Sequence, residues 1–175
     1  YMPGRIGSEI DAHALEGVFF SPARGFFVYM PYVIVSIVAC IISFKRSSIV
    51  EPWFIFGVLW SSAHLYVITT FNPWSGGHAF GPRLATDIVP GIFLLILHAM
   101  PRDLSELRSK VLVSCYAATF SFAVFIHTGQ GLFNEWSSAW NREPIDSEKY
   151  YFDWNYPQFL SSEAGHKAGL KYDAE

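Results

Sequence analysis

The residues best suited to chemistry lie in two short segments rich in proline and glycine. The longer reads NPWSGGHAFGPRLATD, Asn72 to Asp87. Its glycines, Gly76, Gly77 and Gly81, allow backbone conformations closed to other residues and a close approach to a ligand. Trp74 and Phe80 offer flat apolar faces, His78 a titratable ring, and Arg83 a permanent charge on a planar fork of donors. Asp87 follows Arg83 by four residues at the start of an apolar run. There a carboxylate favours a helix N-terminus and can reach back to the arginine. The shorter segment is SPARGFFVYMP, Ser21 to Pro31, in which Pro22 and Gly25 interrupt regular structure around Arg24. A guanidinium held in such a loop suits a phosphate, through paired charge-assisted hydrogen bonds. Each segment also has a plainer reading. The first is then a tight loop with an Arg–Asp tie, and the second an interfacial turn whose arginine touches lipid headgroups.

Other polar groups are less telling. His64, His98 and His127 stand singly in apolar stretches without metal-ligand spacing, and read as packed or interfacial residues. Glu9, Asp11, His13 and Glu16 read as a solvated turn before they read as an acid–base cluster. Tyr150 to Phe159, YYFDWNYPQF, is dense in aromatics; an aromatic belt against lipid is its default, a sugar-stacking surface its alternative. Cys40 and Cys115 fall inside apolar runs as small buried hydrophobes. No cofactor or metal is indicated. A net charge of −3 and a pI near 6.1 exclude a broad basic surface, and with it nucleic acid as a partner.

The elements that carry these loops are set by where charge is missing. Hydrophobic residues make up 51% of the chain and charged residues 15%, against roughly 25% in soluble domains. Phe26–Phe44 and Trp53–Phe71 are each nineteen residues without a charge, and Val111–His127 gives seventeen. A spanning helix needs about 17–25 such residues. Ile88–Met100, thirteen residues, is short but extends backwards through Leu84, with Pro90 tolerable in a first turn. The expected fold class is therefore all-α integral membrane, with about four transmembrane helices and re-entrant or interfacial loops on the outer face. Residues 1–25 form an extracytoplasmic interfacial segment, 26–128 the bundle, and 129–175 an extracytoplasmic aromatic tail. Lys45, Arg46, Arg102, Arg108 and Lys110 crowd two short inter-span segments, whereas seven basic residues are spread over the much longer opposite side. The basic side belongs in the cytoplasm, which puts both termini outside. Asp103 and Ser105 in PRDLSELRSK are candidate caps of a short interfacial element. A start at Tyr1, with no signal peptide in view, reads as part of a longer protein.

Taken together, SPARGFFVYMP, WSGGHAFGPRLATDIVP and FDWNYPQF resemble the C-terminal half of bacterial polytopic glycosyltransferases of the GT-C type, mannosyltransferase-like enzymes that use polyprenyl-phosphate sugars. Ser21, Pro22, Arg24, Gly25, Tyr29 and Pro31 match the first family motif. Trp74, Gly76, Gly77, Gly81, Pro82, Arg83 and Asp87 match the second, with Leu84 where an aromatic is commoner. The resemblance covers most of Gly17 to Leu160. It implies a multi-pass protein of the bacterial plasma membrane whose site opens outward. It further implies sugar transfer from a polyprenyl-phosphate donor to a glycan, lipid or protein acceptor, with substrate-binding positions at Arg24, Tyr29, Trp74, His78, Arg83 and Asp87. The family's acidic base lies in an earlier outer loop, so no catalytic residue is assigned. A transporter or flippase for lipid-linked or anionic solutes would use the same arginines without chemistry, although transporters favour sites near the midplane. A non-catalytic membrane scaffold is the third class.

Overall fold

A computed structural model describes residues 10–44, 51–71, 73–77, 79–101, 103–140, 148–165 and 167. Among them the chain is all helical. Asp11 accepts a hydrogen bond from the His13 backbone N–H at 2.9 Å and so caps α1, Ala12–Phe20. The acidic segment read as a turn is thus the start of a helix from Asp11 onward; Glu9 lies outside the described residues. A tight turn at Ser21–Gly25 leads into α2, Phe26–Tyr29, and α3, Tyr32–Phe44. The first apolar run is therefore broken at Met30–Pro31, where proline supplies no N–H to continue the ladder. Helix α4 spans Pro52–Thr69 with proline in its first turn.

After the Gly-rich loop the chain enters a 3₁₀ turn, Arg83–Ile88, continuous with α5, Val89–Ala99. Pro90 explains the change of pitch. It carries no N–H, and its ring crowds the carbonyl four residues back, so the Val89 N–H takes Thr86 O instead. Helix α6, Leu107–Val124, widens into a π-helical segment at Phe125–Leu132, where the Phe133 N–H reaches back five residues to Thr128 O at 3.1 Å. Asp103 ties its own turn, accepting from Ser105 N and Oγ at 2.8 Å each, but no side chain caps α6. Two hydrogen bonds from Ser105, first that of its backbone N–H and then that of its hydroxyl, hold the exposed Asp103 carboxyl below its usual pKa. The tail adds α7, Trp136–Ala139, α8, Glu148–Tyr151, and a 3₁₀ turn at Gln158–Leu160.

Two helical stretches are long and apolar enough to cross a membrane, Pro52–Thr69 and Leu107–Leu132. Only 22% and 17% of these stretches are buried in the chain, so their apolar surface faces outward rather than into a core. Tyr32–Ser43 is apolar but shorter. Beyond Tyr32 and Val33 its inward face is small, Ser36, Ala39 and Cys40, whereas Ile34, Ile37, Val38, Ile41 and Ile42 face out. Small residues inside let helices approach, and the Tyr116 hydroxyl donates to Ser36 Oγ at 3.3 Å to link α6 with α3. Between α4 and α5 the same logic is sharper. A Cβ on Gly57 would lie 2.9 Å from Gly91 O, and one on Gly91 would collide with Ser61 Oγ.

Candidate functional site

The three motif segments, far apart in sequence, converge on one guanidinium. Arg24 is 2% exposed. Its Nε donates to Ser75 O at 3.1 Å, Nη1 to Ala23 O at 3.0 Å and to Gln158 Oε1, and Nη2 to Gly77 O at 3.0 Å. Its Cζ lies 5.6 Å from the Trp140 ring centre and 5.2 Å from that of Tyr151, within cation–π range. Burial pulls its pKa below the ordinary arginine value, opposed by Tyr151 and Tyr29, and nearby Arg83 adds to the lowering.

The local sequence builds this arrangement. Ser21 Oγ accepts from the N–H groups of Ala23 and Arg24 at 3.1 and 3.0 Å, closing the turn that aims Arg24 inward, and donates to Tyr151 O. Gly76, Gly77 and Gly81 all have positive φ, between 63° and 75°, so the loop exposes its carbonyls in a geometry that side-chain-bearing residues resist. A Cβ on Gly81 would also stand 2.8 Å from the Tyr29 ring. Gln158 completes the knot: its Oε1 accepts from Arg24 and from the Gly81 N–H, and its Nε2 donates to Ala79 O and Ser137 O. Fully buried, it uses both ends of its amide to bind the tail to both motifs. Sequence reasoning passed over Gln158 because a lone glutamine has no distinctive chemistry; its only signal was membership of the YPQF motif.

The sequence-predicted site residues separate into two groups. Arg24 and Tyr29 are interior. Tyr29, fully buried, packs edge-on against Phe80 and Phe159, with its hydroxyl 3.4 Å from Pro22 O. Trp74 is half-buried over Gly17, where a Cβ would meet its indole, and beside Tyr151 and Phe152. Arg83 and Asp87 are exposed on the 3₁₀ turn. The expected Arg83–Asp87 tie is absent among the described residues, and pitch is the reason. Four residues on, a side chain lies roughly 40° around an α-helix but roughly 120° around a 3₁₀ turn. Thr86, three residues on, instead donates to Arg83 O at 2.8 Å, and Asp87 O accepts from Trp60 Nε1 at 2.7 Å. His78 lies outside the described residues. The cleft between Arg24, Arg83 and Trp74 has about 10 Å³, room for one water at most.

Of the other histidines, His98 pairs with Glu51 at 3.3 Å, and the His64 ring lies tilted against Trp60 with centroids 4.8 Å apart. His127, in the π segment, sits beside Tyr29 and Phe80 with Nε2 buried and unpartnered. Groups of three or more metal-ligating side chains are absent among the described residues. No protein-family model, curated protein or solved structure matches this chain.

Proposed function

We propose that this chain is the C-terminal membrane portion of a glycosyltransferase that moves a sugar from a polyprenyl-phosphate donor to an acceptor on the outer face of a bacterial plasma membrane. The observation that carries this is the convergence of SPARG, WSGG and YPQF on Arg24, with a second arginine left exposed beside it. Arg83 is the phosphate contact in this scheme: exposed, fixed on a short proline-flanked turn, and next to a second positive charge. Arg24 is a positioning residue, since its donors hold the loop that carries Arg83. As the sugar leaves, negative charge on the departing phosphate is stabilised by the preset guanidinium field. No residue of this chain is assigned as the catalytic base.

Four crossings fit the dimensions. The 3₁₀ turn and α5 together run about 28 Å, close to the roughly 30 Å hydrocarbon core. Helix α3, about 20 Å long, reaches across with the short α2 above it. The basic segments on one side and the arginine loops on the other orient the bundle with this site outward.

Sugar transfer from a polyprenyl-phosphate donor, measured in the protein that carries this chain, tests the assignment. Arg83→Ala removes a charge-assisted contact worth about 1.5–3 kcal/mol, a roughly ten- to hundred-fold loss of transfer, while the thermal midpoint stays put because the side chain is exposed. Arg83→Lys keeps the charge, loses the fork and recovers only part. Unaltered transfer by Arg83→Ala would remove Arg83 from the site. Donor binding without any transfer would favour a transporter.

A further inference from the structure

A cavity lies in the tail, with Trp140 between it and the Arg24 guanidinium. It has a volume of about 320 Å³ and is walled by Trp136, Trp140 and Trp154, three of the chain's six tryptophans, together with Tyr156. Asn155 and Ser161 add polar residues to the wall, and no charged side chain lines it among the described residues. Ser161 Oγ is buried and has no hydrogen-bond partner among the described residues. Its frame is fixed: Trp140 Nε1 donates to Tyr156 O at 2.5 Å, and Asn134 donates to Ser161 O at 2.7 Å. Asn134 Oδ1 also accepts from Trp136 N at 3.0 Å, setting the start of α7.

We propose that this cavity binds one neutral pyranose unit of a glycan. Size, charge and surface each select that class. A cavity of this volume is at the small end of ligand pockets, roughly 300–1,000 Å³, which suits a sugar ring and excludes a folded acyl chain or a peptide. The described wall offers no counter-ion to a phosphate or carboxylate, which favours a neutral ligand over the anionic donor group. Indole faces carry negative quadrupole density, and the C–H face of a pyranose presents positively polarised hydrogens to them. The equatorial hydroxyls then need a polar partner at the wall, which the exposed Asn155 amide supplies. Trp140 is shared: one neighbour is the cavity and the other is the Arg24 guanidinium. Through Trp140 and Arg24 the cavity connects to the loop that carries Arg83, and in the proposed transferase a sugar here is the acceptor. That last role rests on the transferase proposed above; the binding itself does not.

The test is direct binding, without donor. The protein in phosphatidylcholine nanodiscs is titrated with methyl α-mannopyranoside and methyl β-glucopyranoside. Saturation-transfer NMR with aromatic irradiation follows the sugar ring protons. Transfer to the C–H protons of one ring face is expected. Trp154→Ala should weaken it about tenfold, the loss of one stacking face, and Trp154→Phe should recover part. Trp154 is 59% exposed, so both variants should keep the parent thermal midpoint. Three results would overturn the proposal: no transfer at millimolar sugar, equal affinity in Trp154→Ala, or displacement by alkyl detergent but not by sugar. Absent binding in a protein that still transfers sugar discards the cavity and leaves the transferase; binding in a protein that transfers nothing does the reverse.

Discussion

Two arginines of the same type, in loops of the same composition, have opposite fates. Both were visible in the sequence as costly groups constrained by proline and glycine, but which one faces inward was not. Inwardness in a loop depends on contacts that no periodicity reports: the Ser21 hydroxyl that closes one turn, the carbonyls of Ser75 and Gly77 fifty residues away, and the Gln158 amide beyond a hundred. Gln158 therefore escaped notice, although it ties the tail to both motifs. If Arg24 is structural, its loss should show as instability rather than as a binding defect. Arg24→Ala strands buried carbonyls and the Gln158 acceptor, each costing about 1–3 kcal/mol, so a total on the order of 3–5 kcal/mol is expected. Detergent-solubilised Arg24→Ala should aggregate or lose most of its thermal midpoint. Gln158→Leu, which keeps the volume but removes both ends of the amide, should behave similarly. A midpoint within a degree or two of the parent for either variant would mean the knot is not what holds the loops. Arg83→Ala is the contrast, with its midpoint unchanged.

At the scale of elements, charge-free runs located α4 and α6 well, because a span that meets lipid has to be apolar along its length. They failed at the joins. The first run contains Pro31 and is cut there, and the third begins as a 3₁₀ turn because Pro90 prevents an α-type bond to Thr86. Both prolines were legible; their effect on pitch, and so on the Arg83–Asp87 geometry, requires the register of each turn. The Gly57–Gly91 contact was likewise hidden, since the two glycines belong to helices whose relative rotation the sequence does not state. It does make a sharp demand. Gly57→Val places methyl groups where Gly91 O, at 2.9 Å from a Cβ, and Leu94 already stand. Overpacking of this kind costs about 1–3 kcal/mol. Gly57→Val should lower the midpoint, and adding Gly91→Val should cost less than a second full increment, because the helices have already been forced apart. Strict additivity would show that α4 and α5 do not meet at these glycines.

For the whole molecule, the arginine knot and the aromatic cavity have meaning only if they share one side of a membrane. The two long apolar helices put lipid around the bundle in this scheme, and the basic residues decide which end is cytoplasmic. Ser138, exposed on α7, belongs to the end that bears the knot, and Ser105, exposed before α6, to the end that bears Arg108 and Lys110. Cysteine at each reports the orientation independently of any function. In sealed cells expressing the protein, with Cys40 and Cys115 replaced by alanine, a membrane-impermeant maleimide should label Ser138→Cys readily. It should label Ser105→Cys only after the cells are opened. Both positions are exposed in the fold; Ser105→Cys gives up the hydroxyl bond to Asp103 but keeps the one from its backbone N–H, and labelling in lysed cells supplies the reference for each. Labelling of both before lysis would deny that the bundle spans, and the knot would then belong to a protein lying on one surface. The reverse pattern would turn Arg83 and the cavity to the cytoplasm. There a polyprenyl-phosphate donor flipped to the outer leaflet is out of reach, and a transferase using cytoplasmic donors would take its place.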